Sequence, residues 1–123
     1  MIRAETIIAV NDVRRSSDWY TQLLGCKSDH GGDTFEVLVD EDGTVILCLH
    51  ATGEHDHPTM PDNGAERGNG LILYLRVDDL GTVWRKALEL NAVIESEPAV
   101  NPNSGKMAFA LRDPDNYYLL ISL

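Results

Sequence analysis

The stretch Glu54–Pro58, EHDHP, interleaves two imidazoles with two carboxylates, and a third imidazole, His50, stands four residues before Glu54. In extended chain His55 and His57 project to one side, an arrangement that can take up zinc or nickel but matches no dedicated zinc pattern. The competing reading is a solvated, charged loop. Glu5 is a second candidate, because it is the one carboxylate in the apolar run AETIIAV at residues 4–10. Either it is a half-buried acid that pairs with a cation or serves as a general base, its pKa raised by desolvation, or it is an exposed strand-end glutamate or a partner of Arg76. Cys48 offers a thiol, which becomes a nucleophile only if a base such as His50 reaches it. No glycine-rich phosphate loop and no Ser-His-Asp order is present. The GNG at residues 68–70 precedes a strand rather than opening a helix.

The elements that must position these groups come in two sets. Residues 4–10 alternate as a strand, with Thr6, Ile8 and Val10 on one face and Glu5, Ile7 and Ala9 on the other. NDVRRSSDWYTQLLG then takes helical spacing, Val13, Tyr20, Leu23 and Leu24 forming a stripe, with Asp12 as N-cap and Gly25 as the left-handed stop. DTFEVLV and TVILCLH follow as strands joined by the turn DEDG, and a short strand is expected near Lys27–His30. In the second set, GLILYLRV alternates, with Leu71, Leu73, Leu75 and Val77 against Ile72, Tyr74 and Arg76. A helix capped by Asp79 buries Leu80, Val83, Trp84, Ala87 and Leu88 and stops at Asn91. AVIESE, KMAFALR and, after DPDN, YYLLISL complete the set as strands, with PAVNPNSG as a loop.

VND at 10–12 and VDD at 77–79 lie 67 residues apart, and DEDG at 40–43 and DPDN at 113–116 lie 73 apart. Four features recurring in one order mark a tandem duplication of a β-α-β-β-β unit. The expected fold class is therefore α+β, one domain over 1–123: module one over about 1–53, a linker loop over about 51–69, module two over about 70–123. The His50–Gly70 segment has no periodicity and reads as a linker, lid or binding loop.

Composition narrows the function. At 123 residues the chain can bury one core. Twenty acidic against ten basic side chains give a formal charge of −10, which repels nucleic acid and anionic membranes and favours cationic partners. The only apolar run near the start, Ile7–Val10, is too short for a signal-peptide core or a membrane span. Cys26 and Cys48 make no disulfide framework, so a cytoplasmic protein with reduced thiols is expected.

The helix VNDVRRSSDWYTQLLG with the turn DEDG, and VDDLGTVWRKALEL with RDPDNYYLLISL, resemble the vicinal oxygen chelate superfamily, which contains glyoxalase I, extradiol dioxygenases and bleomycin-resistance proteins. The resemblance covers essentially the whole chain. It implies two modules that form a curved mixed sheet, or cup, with the helices outside, and a homodimer. It also implies metal ligands on cup-facing strand positions, commonly His or Gln in the first strand of a module and Glu in its last. Carried over, those positions fall at Glu5 and Ile72 in the first strands, at Leu120 in the last, and at Leu47 or Cys48 in its counterpart. Aliphatic groups coordinate nothing, so the usual metal site is expected to be missing.

On this basis the expected function is binding or sequestration of an aromatic or cationic small molecule, with no cofactor. The expected lining is Glu5, Ile7, Cys48, His50, Tyr74, Arg76, Tyr118 and Leu120, with Phe35 or Phe109 as further candidates. The alternative is a lyase, isomerase or dioxygenase of the same superfamily, with Glu5 as general base or a rearranged divalent-metal site drawing on Glu5, His50 and the His55–His57 loop. A pure interaction module ranks third.

Overall fold

The computed structural model describes residues 1–123. The chain divides into two compact units, Met1–Glu66 and Arg67–Leu123. The first contains β1 (Ile7–Val10), α1 (Val13–Leu24), β2 (Lys27–Ser28), β3 (Phe35–Val39) and β4 (Val45–Ala51). The second contains β5 (Ile72–Arg76), α2 (Leu80–Glu89), β6 (Val93–Val100), β7 (Met107–Arg112) and β8 (Tyr118–Ser122). Each unit is a four-stranded mixed sheet with one helix, ordered β1-β4-β3-β2 and β5-β8-β7-β6. The first strand of each runs parallel to the last, and the other pairings are antiparallel. Two tandem βαβββ modules are thus present, as the repeat implies.

The repeat extends to individual hydrogen bonds. The Asp12 carboxylate accepts from Arg15 N at 3.0 Å, and Asp79, 67 residues on, accepts from Thr82 N at 3.0 Å. Each satisfies one of the amides that a helix start leaves without a partner. In the DEDG turn Asp40 N donates to the Thr44 carbonyl and Gly43 N to the Asp40 carbonyl. In DPDN the Asp113 and Asn116 amides donate to Tyr117 and Asp113 carbonyls in the same pattern. The left-handed position is Gly43 (φ 85°) in one turn and Asn116 (φ 74°) in the other, asparagine being the side chain that best tolerates it.

One face of each sheet packs against its helix. In the first unit Ile8, Val10, Leu38, Leu47 and Leu49 lie buried with Val13, Tyr20 and Leu23 of α1. In the second, Leu73, Phe109, Leu111, Leu119 and Ile121 are buried, with Val83 and Ala87 of α2, and Trp84 meets Phe109 edge to face at 5.1 Å. Burying each of these Val, Leu, Ile and Phe side chains contributes about 1.5–3 kcal/mol. Phe109 is therefore a core residue, not a lining residue of the opposite face. Leu88, assigned to the apolar side of α2 and lying in its last turn, is half exposed instead.

Several boundaries differ from the periodicity reading; β5, for one, is regular over Ile72–Arg76 rather than over residues 70–77. β1 starts at Ile7, so Glu5 precedes the regular strand and is exposed. β3 starts at Phe35. β6 continues through Glu97 and Pro98 to Val100 as a strand broken by register shifts, because Pro98 removes a ladder donor without ending the pairing. No helix is long and apolar enough to cross a membrane.

Candidate functional site

On the face of the first sheet turned away from α1, β1 presents Ile7 and Ala9, β4 presents Cys48 and His50, and β3 presents Phe35 and Val37. Ile7 pairs with Cys48, and His50 pairs with Ala9 on one side and Phe35 on the other. A register shift between Leu38 and Val39 leaves Ile46 unpaired and places Leu47 on the helix side. Cys48, not Leu47, is therefore the β4 residue that matches Leu120 of β8, since Ile7 faces Cys48 as Tyr74 faces Leu120.

The donor set at the positions assigned by the resemblance does not suit a metal. In the second unit Ile72 and Leu120 carry no donor atom. In the first, Glu5 is exposed beside Arg3, Asp42 and Thr44 along a cleft of about 640 Å³. Cys48 is buried; burial, and then the Glu5 charge, push its thiol up and away from the thiolate form that binds metals.

His50 is the most constrained polar side chain on this face. It is 4% exposed, and its Nδ1 donates to the Ala51 carbonyl at 2.9 Å. Its Nε2 faces Asp56 Oδ2 at 3.1 Å, and its ring meets Phe35 at 6.1 Å and His57 at 5.3 Å. Burial disfavours the imidazolium, yet the Ala51 carbonyl and the Asp56 carboxylate outweigh it, and the His50 pKa is raised. Both ring nitrogens are thus engaged, so His50 is not disposed to act as a base toward Cys48. His57 Nε2 lies 3.7 Å from Asp56 Oδ2, while His55 turns to Asp62 at 3.8 Å. The loop splits the expected His55–His57 pair and matches His57 with His50. A cleft of about 280 Å³ opens here, lined by Thr34, Phe35, His50, Glu54, Asp56 and His57.

The loop that carries Asp56 and His57 is tied to the first unit. Thr52 N donates to the Val10 carbonyl, Gly53 N to the Pro61 carbonyl, and the Thr52 hydroxyl bonds Asn63.

In the second unit Ile72, Tyr74 and Arg76 share a face with Tyr118, Leu120 and Ser122 of β8 and with Ala108, Ala110 and Arg112 of β7. Ile72 and Tyr74 are well exposed, at 60% and 46%. Arg76 Nε donates to the Leu123 carbonyl at 3.3 Å. Arg112, which the sequence reading did not single out, organises this face. Its guanidinium lies 5.0 Å over the Tyr118 ring, its Nε donates to Glu95 at 2.9 Å, and it also donates to the Asn116 carbonyl at 3.1 Å. A cleft of about 470 Å³ runs between Arg112, Tyr118, Ile72 and the backbone of Gly68–Leu71. The signal was the basic residue just before DPDN, but only the β7–β8 register shows that it covers Tyr118.

A buried acid was also missed. Glu36 is 2% exposed on the helix side of β3, and its carboxylate accepts from the amides of His30 (2.7 Å), Gly31 (2.5 Å) and Val37 (2.9 Å). Burial pushes its pKa up, but bonds from Ser28 and the His30, Val37 and Gly31 amides pull it further down, below the usual carboxylate range. Ser28 in turn meets the Ser17 hydroxyl of α1 at 3.1 Å.

Comparison with solved structures finds the same fold repeatedly at low identity. A protein of unknown function from Agrobacterium tumefaciens superposes with a TM-score of 0.80 at 18% identity, over 99% of this chain and 93% of that one. TioX from Micromonospora matches with a TM-score of 0.71 at 18% identity, over 98% of both chains. A possible glyoxalase from Bacillus cereus matches with a TM-score of 0.70 at 15% identity, over 100% and 99%. No curated protein sequence matches. The family model described as Glyoxalase/Bleomycin resistance protein/Dioxygenase superfamily matches residues 3–121. With nearly the full chain covered and both modules in place, the protein belongs to that superfamily.

Proposed function

We propose that the protein is a small-molecule-binding member of the superfamily that holds an aromatic or cationic compound without the usual strand-borne metal. The observation that carries this reading is the pair Ile72 and Leu120, aliphatic at the inferred ligand positions and set beside Tyr74 and Tyr118 on one face. An apolar wall with a few polar groups is the composition of a small-molecule pocket. Arg112 already covers one side of Tyr118, so the ring left for stacking is the half-exposed Tyr74. The net charge of −10 supplies long-range attraction for a cation.

The test is fluorescence quenching of chelator-treated protein by a panel of flat aromatic compounds, cationic and neutral. Tyr74→Ala should weaken the best binder several-fold, the roughly 0.5–1.5 kcal/mol of an aromatic pair. Raising the salt concentration should weaken cations alone. Absence of any binder, or binding indifferent to Tyr74, overturns the proposal, and equal loss of cationic and neutral ligands in salt removes the charge contribution.

A further inference from the structure

We propose that His50, Asp56 and His57 form a three-donor site for a borderline divalent transition ion of the zinc or nickel class, apart from the strand positions assigned by the resemblance. One donor atom from each side chain lies within 4.8 Å of the others. Metal bonds of about 2.0–2.1 Å set tetrahedral donor atoms about 3.3 Å apart. The observed His50–Asp56 and His57–Asp56 separations, 3.1 and 3.7 Å, bracket that spacing. Only the two side chains that can move, Asp56 and His57, at 59% and 54% exposure, need to adjust.

The orientation of His50 supports the same site. The Ala51 carbonyl can only accept, so Nδ1 carries a proton and Nε2 is the nitrogen turned toward the Asp56 carboxylate. A metal ion binding there would take the place of a proton between Nε2 and Oδ2. A backbone carbonyl fixing the far nitrogen is also how ligating histidines are commonly oriented. Phe35 holds the ring from the side, so His50 is placed before any ion arrives. Two imidazoles select against magnesium and calcium, which prefer oxygen. Three protein donors leave a coordination position free for water or an exogenous oxygen ligand, and the cleft bounded by Thr34 and Glu54 lies beside them.

The experiment is equilibrium dialysis of the untagged, chelator-treated full chain against zinc alone, with magnesium as competitor. One equivalent of zinc should bind. Asp56→Asn and His57→Ala should each weaken it at least tenfold, and both side chains are exposed enough that folding is not at stake. His55→Ala, in the same loop but turned toward Asp62, should leave the affinity unchanged. Equal losses in His55→Ala and His57→Ala would mean diffuse loop binding and overturn the site, as would an unaffected His57→Ala or effective competition by magnesium. Aromatic-ligand quenching is measured without metal, so the two proposals fail separately.

Discussion

Replacing Glu36 with Gln tests how the first unit is held together. The carboxylate accepts three backbone amides with its two oxygens, one of them from the residue next in sequence. An amide keeps one oxygen, turns the other position into a donor, and sets it against a backbone N–H. At least one charge-assisted bond worth about 1.5–3 kcal/mol is lost, and a buried donor is left unmet. The expected destabilisation is about 2–4 kcal/mol at neutral pH, read as a urea midpoint shift of roughly 1–2 M for a slope of about 1–3 kcal/mol/M. The pH dependence carries a second check. Because the folded-state pKa is depressed, the unfolded chain binds the proton first, and stability rises with pH. The contribution is fully present above the ordinary carboxylate range and disappears as pH falls through the depressed folded value. The gap between the wild type and Glu36→Gln should therefore hold from pH 7 to 5 and narrow below pH 4. A loss under about 0.5 kcal/mol, or a gap that widens in acid, would refute the account.

Two further contrasts follow, the first of which uses the repeat as its own control. The Asp113 carboxylate is buried and accepts from the Asp115 and Tyr117 amides at 2.8 and 2.9 Å, whereas Asp40 in the first turn is exposed and accepts only from Glu41 N. Asp113→Ala should cost about 2–4 kcal/mol by urea denaturation and Asp40→Ala much less; equal effects would show that burial is not the deciding factor. At Gly68 (φ 94°) an added Cβ would fall 2.1 Å from the Asn116 carbonyl oxygen, while at Gly43 (φ 85°) it meets nothing. Gly68→Ala should therefore destabilise by more than Gly43→Ala, whose cost is about 1 kcal/mol of left-handed strain. The reverse order in thermal melts would contradict the packing of residues 67–70 on the DPDN turn.

Most of the architecture was legible because it is written in local chemistry. Caps at Asp12 and Asp79, stops at Gly25 and Asn91 and the two acidic turns all act within a few residues, so their spacing alone locates the elements. What remained illegible depends on pairing between strands. The unpaired Ile46 changes the offset between the copies from 73 to 72 partway along β4, which moves Leu47 inward and Cys48 outward. No period within β4 reveals that shift, since VILCLH is apolar on both faces. The His50–Asp56–His57 grouping was hidden similarly: His57 looked like the partner of His55 until the loop folded back on β4.

The clearest departure between the copies explains why a buried acid sits in an apolar layer. With offsets of 67 for the helix and 73 for the middle strand, Ser17 occupies the place of Trp84, and Glu36 the place of Phe109. The second unit joins helix to sheet at that point by an aromatic edge-to-face contact. The first joins them by a chain of hydrogen bonds from Ser17 through Ser28 to Glu36 and on to the amides of His30 and Gly31. An aromatic pair fills volume but fixes nothing beyond its own rings. The carboxylate, in contrast, pins the loop that leads into Thr34 and Phe35, the residues that border His50 in the first-unit cleft. Polar burial is a costly way to build a core and a direct way to hold a loop. Its occurrence at this helix–sheet contact in the copy that carries the His50 cluster, where the other copy has an aromatic pair, is what a rigid wall for that cluster would require.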